Sequence, residues 1–257
     1  FVPVDTEAVD PETRSRLADW CTRHGLGALV STDGDADRPM VADAAGRIVP
    51  GDILGPLTGQ DLGARVICTP VSSNTGVDGM GFERVIRTRI GSPFVIAAME
   101  ERSGDRVAGY EANGGFLLGF EADAPAGRLA PLMTRDSLLP IVAPLARAVR
   151  QGVSLADLVA GLPQRFTAAD RLQDVPTAAC QALLADLGAS ADRRAAFFDA
   201  GGAEQEVDRT DGLRVSFSGG AIVHLRPSGN APEFRCYAEA DSPTAAEDLV
   251  RRHLARL

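Results

Sequence analysis

The sequence predicts an α/β protein whose mixed-sheet layers lead into a small α+β C-terminal domain, and three observations carry that prediction. Short apolar strands alternate with helical stretches through the first 150 or so residues, the pattern that builds a layered sheet with some parallel pairing. The last third changes character, to two helices, a hairpin, a strand and a capped final helix. The composition is globular, with 45% hydrophobic and 24% charged residues in a chain of 257, long enough to bury a sizeable core.

Taken in order, Asp10 can cap a helix over 11–24 with Pro11 at its first position, Leu17, Trp20 and Cys21 on one face, and Gly25 past its end. Gly27–Val30 predicts a short strand running into the polar loop STDGDADRP, and 40–50 a small hairpin turning at Ala44-Ala45-Gly46. A helix over 53–62, strands over 65–69 and 84–88, a helix near 93–102, strands over 106–110 and 115–120, and a helix over 136–150 complete the alternating block. Pro163 and the polar stretch 164–176 suggest a linker. Beyond it come helices over 177–187 and 190–199, then a Gly/Glu/Asp-rich segment over 200–212. Leu213–Phe217 and Ala221–Leu225 form a hairpin, and Phe234–Ala240 alternates as a strand. Ser242 and Pro243 open the last helix, with acids early and Arg251, Arg252 and Arg256 late.

Several functions are excluded at this level. A formal charge of −9 argues against nucleic-acid or membrane-surface partners, and no apolar run reaches the roughly 18 residues of a membrane helix. Cys21, Cys68, Cys180 and Cys236 are scattered, with only three histidines, so neither a disulfide framework nor a zinc site is expected; reduced thiols suit a cytoplasmic protein. All 26 basic residues are arginine. Every cationic contact is therefore a planar fork suited to phosphate, and no lysine Schiff base is possible.

Three segments carry chemistry. Asp33-Gly34-Asp35-Ala36-Asp37-Arg38 follows an apolar strand; carboxylates at alternate positions of a tight loop can converge on a hard divalent cation, and the alternative is a solvated acidic turn. An EF-hand would need Gly and Glu where Arg38 and Ala44 stand, and a haloacid-dehalogenase-type phosphatase would need a lysine that the chain lacks. Arg226-Pro227-Ser228-Gly229-Asn230, continuing to Arg235, sets two arginines around a turn rich in donors, a phosphate cradle or else a Pro/Gly turn with surface arginines. Tyr110-Glu111-Ala112-Asn113-Gly114-Gly115 pairs a carboxylate with an amide suited to vicinal hydroxyls, although alone a plain hairpin turn is the simpler reading. The polar loop Thr69–Gly76 reads as helix capping.

In this order the segments closely resemble the α-D-phosphohexomutases, specifically the bacterial phosphomannomutase/phosphoglucomutase group. Ser31–Pro39 resembles that family's magnesium loop, Glu111–Gly115 its sugar-hydroxyl loop and Arg226–Asn230 its phosphate loop. The resemblance implies two mixed-sheet α/β/α domains, the first incomplete, and then a small α+β domain. Residues 1–46 would be the rear half of domain 2, 47–162 domain 3 and 163–257 domain 4, with domain 1 absent. It departs in three places. No serine here is followed by histidine, so the family's Ser-His-Asn nucleophile loop is missing; Asn113 stands where many relatives have serine, and Asn230-Ala231 where many have Thr-Glu.

The resemblance implies an isomerase that interconverts hexose 1-phosphate and hexose 6-phosphate through a phosphoserine and a 1,6-bisphosphate. Asp33, Asp35 and Asp37 would hold Mg²⁺, and Arg38 would support phosphoryl transfer. Glu111 and Asn113 would bind sugar hydroxyls, and Arg226, Ser228, Gly229, Asn230 and Arg235 the distal phosphate. Glucose or mannose 1,6-bisphosphate would serve as activator and intermediate. These residues by themselves are expected to be inactive for want of the nucleophile. Alternatives are a non-catalytic sugar-phosphate-binding protein and a magnesium-dependent sugar phosphatase.

Overall fold

The computed structural model describes residues 9–229 and 231–257, which fall into two compact units meeting between Pro163 and Gln164. In the first, α1 (Pro11–His24) starts where the Asp10 carboxylate accepts the Thr13 backbone N–H at 2.9 Å, an N-cap of the expected kind. It buries Leu17 and Cys21 against a three-stranded antiparallel sheet of β1 (Ala28–Thr32), β2 (Pro39–Asp43) and β3 (Ile48–Val49). The expected hairpin is present, with Val41 opposite Val49 and Ala42 opposite Ile48. Asp43 organises its turn by accepting the backbone N–H groups of Ala45 and Arg47.

Next follow α2 (Gly51–Asp61), β4 (Val66–Pro70), a 3₁₀ turn (Thr75–Gly79), β5 (Arg84–Thr88), α3 (Ser92–Glu100), β6 (Val107–Tyr110), β7 (Phe116–Leu118), the small hairpin β8 (Ala122–Ala124) and β9 (Gly127–Leu129), β10 (Leu132–Asp136), α4 (Leu138–Gln151) and α5 (Leu155–Ala160). The main sheet runs β10-β7-β6-β4-β5, with β4 parallel to both β5 and β6 and the other two pairs antiparallel. Because successive side chains point to opposite faces, a central strand feeds two cores. Val66 and Cys68 pack with Val95 and Met99 of α3, whereas Ile67 joins Leu62, Ala108 and Tyr110 on the opposite face. This is the mixed-sheet α/β/α layering that the alternating apolar strands imply.

The second unit holds β11 (Phe166–Leu172), α6 (Thr177–Ala189), α7 (Ala191–Phe197), β12 (Glu204–Asp208), β13 (Leu213–Phe217), β14 (Ile222–Pro227), β15 (Phe234–Ala240) and α8 (Pro243–Leu254). Its antiparallel sheet is ordered β11-β15-β14-β13-β12. One face buries Leu213, Val215, Val223, Leu225, Cys236 and Ala238 with Cys180, Leu187 and Leu249 of the helices. The alternate positions Arg214, His224, Arg226, Arg235 and Tyr237 share the other face.

Two expectations need correction. The stretch 164–176 is not a linker, because β11 pairs with β15 along its whole length, from Phe166–Ala240 to Leu172–Phe234. The segment 200–212 contains β12, paired to β13. Both are edge strands carrying charge (Asp170 and Arg171 in one, Glu204 and Glu206 in the other), which protects an exposed edge from further pairing. The same charges dilute the period-two hydrophobic signal by which strands are recognised. Strands β8 to β10 and helix α5 are likewise additions to the predicted set.

A buried histidine makes the second unit acid-sensitive. His224 is 2% exposed, its Nε2–H donates to the Asp211 carbonyl, and its ring stacks on Tyr237 with centroids 5.4 Å apart. Its Nδ1 is buried without a hydrogen bond, so a second proton has no acceptor, and burial lowers the pKa from 6.5 to about 4. Between those values the unfolded chain binds a proton that the folded one does not, so stability falls as pH drops through that window, by about 3 kcal/mol in full. Urea midpoints measured at pH 7 and pH 4.5 should differ less for His224→Gln than for the unaltered chain.

Candidate functional site

The loop between β1 and β2 is wound around the first of its aspartates. Asp33 Oδ1 accepts the backbone N–H groups of Asp37 and Arg38 at 3.1 and 3.2 Å. The Asp33 N–H donates to the Arg38 carbonyl, and its own carbonyl accepts from Ala36. The price of so tight a turn is Ala36 at φ 58, a left-handed conformation unusual for a residue with a Cβ. Asp33 Oδ2 and Asp37 Oδ1 then face one cationic centre, Nε of Arg38, at 3.5 and 3.6 Å. Asp35 projects into solvent. Among the described residues no three carboxylate, histidine or cysteine groups stand close enough to hold a metal ion. The chemistry of the loop nevertheless suits a hard cation: the donors are all carboxylate oxygens, two already turn toward a shared positive centre, and Asp37 Oδ1 is buried with no hydrogen bond.

The loop between β6 and β7 lies directly beside it. Glu111 and Gly115 close the turn through the Glu111 N–H to the Gly115 carbonyl at 3.1 Å, and Asn113 Oδ1 accepts the Gly115 N–H at 3.0 Å. The hairpin reading of this segment is therefore correct as local structure, with Tyr110 opposite Phe116 at its base. Gly114 sits at φ 92, and a Cβ there would come within 2.6 Å of Pro39 Cγ, at the end of the acidic loop. Only glycine allows the two loops to close on each other in this way.

The residue that joins them was not among the candidates. Arg135, on β10, ion-pairs with Asp37 through Nη2 and lies 3.8 Å from Glu111 Oε2 through Nη1. Its stem lies across Gly115, where a Cβ would meet Arg135 Cδ at 2.8 Å. The neighbouring residues continue the brace. Ser137 is buried and donates to the Ala36 carbonyl at 2.8 Å, while Asp136 accepts the first N–H groups of α4. The available signal was the polar run Thr134-Arg135-Asp136-Ser137 just before an apolar helix; it reads as an ordinary N-cap and hides two residues that hold the acidic loop. The Thr69–Gly76 loop does cap as expected, with Asn74 accepting the Gly76 N–H at 2.7 Å.

In the second unit, the loop joining β14 to β15 is closed by the Ser228 N–H donating to the Glu233 carbonyl at 2.8 Å. Ser228 is buried and Gly229 exposed; Asn230 lies outside the described residues. Arg226 and Arg235 stand opposite each other across the two strands. Each meets a carboxylate: Arg226 Nε lies 3.4 Å from Asp211 Oδ2, and Arg235 Nη2 lies 3.1 Å from Glu233 Oε2.

The family models match in the same two blocks. The phosphoglucomutase/phosphomannomutase alpha/beta/alpha domain III covers residues 51–166, and the phosphoglucomutase/phosphomannomutase C-terminal domain covers 169–255. The chain belongs to the phosphoglucomutase/phosphomannomutase family. A phosphomannomutase of Sinorhizobium fredii is 44% identical over the whole of this chain and 55% of its own length; the chain thus spans about half the length of the curated relatives it matches. A solved phosphoglucomutase/phosphomannomutase family protein of Burkholderia thailandensis superposes with a TM-score of 0.70 at 22% identity, covering 96% of this chain and 50% of that one. The N-acetylphosphoglucosamine mutase of Aspergillus fumigatus, solved with GlcNAc-6P and magnesium, gives 0.58 at 15% identity, over 89% and 52%.

The close approach of the two loops can be tested. Gly114→Ala should lower the unfolding free energy of the chain by about 2 kcal/mol or more, from backbone strain plus the clash with Pro39, read as a reduced urea midpoint with an unchanged m-value.

Proposed function

We propose that these residues form the metal-, sugar- and distal-phosphate-binding part of a phosphomannomutase-type enzyme that interconverts hexose 1-phosphate and hexose 6-phosphate. The observation that carries the reading is the braced pair of loops: an acidic cation loop and a carboxylate/amide hairpin joined by Arg135, in a chain whose relatives at 44% and 43% identity are phosphomannomutases.

Asp33, Asp35 and Asp37 would hold Mg²⁺, which when bound withdraws charge from the oxygens of a transferring phosphoryl group. Arg38, whose Nε already lies between Asp33 and Asp37, adds a guanidinium to the same charge field. Glu111, 6% exposed beside Arg135, accepts hydrogen bonds from a sugar hydroxyl in its ionised form, and the Asn113 amide serves the neighbouring one. Paired equatorial hydroxyls look similar from either end of the ring, so one hairpin serves both orientations of a bisphosphate. Arg226, Ser228, Gly229, Asn230 and Arg235 hold the phosphate that is not reacting, and remote binding energy thereby orients the sugar. The 257 residues contain no Ser-His-Asn, so the serine that carries the phosphoryl group in the family is not supplied by them. Support for a sugar phosphate ligand comes from the Aspergillus structure with GlcNAc-6P and magnesium.

Two measurements test this. Calorimetric titration with Mg²⁺ should show saturable binding that Asp33→Asn and Asp37→Asn each weaken at least tenfold; equal binding by the variants removes the metal assignment. Incubated with mannose 1-phosphate and a bisphosphate activator, the 257-residue chain should form no mannose 6-phosphate, and sustained turnover would overturn the assignment of the phosphoryl carrier to residues outside it.

A further inference from the structure

Strand β11 brings to the second unit a cation that the motif does not include. In the antiparallel ladder Arg171 of β11 stands directly opposite Arg235 of β15, and Arg235 directly opposite Arg226 of β14. Residues directly opposed in a ladder point to the same face, with Cβ atoms about 5 Å apart. Three arginines therefore form a row across three adjacent strands, at the end of the sheet from which the Ser228–Glu233 loop emerges. The row is organised by two carboxylates. Asp211 faces Arg226 at 3.4 Å, and Glu233 is shared, 3.1 Å from Arg235 and 3.4 Å from Arg171.

Charge balance shows what the third arginine does. Arg226 and Arg235 each lie beside a carboxylate, Asp211 and Glu233, which offsets part of their pull on an incoming anion. Arg171 shares Glu233 with Arg235 and so adds a further positive charge to the row. It is also the outermost member, with its side chain 51% exposed against 13% for Arg226 and 35% for Arg235, so its remaining N–H donors face solvent. A guanidinium offers five donors in a rigid fork that matches phosphate oxygens.

We propose that Arg171 is a third phosphate-binding residue of the distal subsite, and that Glu233 is an internal counter-ion that holds Arg171 and Arg235 in position until phosphate arrives. The proposal rests on the phosphate reading of the Arg226–Arg235 segment. It also gives a role to the polar edge strand that the sequence presents as a linker.

The test is calorimetric titration of the 257-residue chain with mannose 6-phosphate at low salt. Arg171→Gln should weaken binding at least fivefold, whereas Arg193→Gln, which removes the same charge from a surface arginine of α7 paired to Asp186 of α6, should leave it within twofold. Adding Glu233→Gln to Arg171→Gln restores the charge balance and should recover part of the lost affinity, which loss of fold would not do. Unchanged binding by Arg171→Gln, with binding lost in Arg226→Gln, overturns the inference and leaves the phosphate loop intact. No saturable binding by the unaltered chain, or no effect of Arg226→Gln, removes the phosphate-loop reading and the role of Arg171 with it.

Discussion

The first unit depends on one guanidinium. Arg135 contacts Asp37 and Glu111, two carboxylates that chain connectivity alone would leave on separate loops of separate sheets. Bringing them close without a cation would raise the cost of ionising each. With the arginine between them, the same proximity becomes an attraction that fixes the spacing of the acidic loop from the Glu111–Gly115 hairpin. The other close contacts serve that spacing: Gly114 against Pro39 sets how near the loops come, and Ser137 against the Ala36 carbonyl holds the strained tip of the acidic turn. A planar fork suits this bridge, because it can present separate nitrogens to two acceptors at once.

The sheet architecture explains why the chemistry collects where it does. In both units the candidate site residues sit in loops or near strand ends. Ile67, Cys68, Val107 and Ala108 fill both faces of the central sheet with apolar packing. Among the described residues of the second unit, the helices pack on one face of the sheet. The other face carries Arg226, Arg235 and Tyr237 in register, with His224 buried beneath the Asp211 turn.

How much of this was legible depended on the kind of signal. Elements with a strong hydrophobic period or explicit caps were readable, such as β13, β15 and the Ser242-capped α8. The three motif loops were readable because they pack chemically unusual residues into short runs. Arg135 and Arg171 were not readable, and for a common reason. Each is an arginine in a polar stretch, with nothing locally distinctive about it; its meaning comes from the residue across the sheet or the neighbouring loop. Such pairings separate Arg135 from Asp37 and Arg171 from Glu233 in sequence, so only strand register reveals them. The edge strands β11 and β12 were missed because the charge that keeps an edge from pairing also hides it.

The exclusive use of arginine has a further consequence in acid–base terms. A guanidinium stays protonated across the ordinary pH range. The chain has no lysine, so none of its long cationic side chains is of the kind that burial readily neutralises. Were a sugar phosphate bound as proposed, its own second ionisation, near pH 6, would fall inside that range. The ligand, more than the protein's cations, would then be the titrating partner.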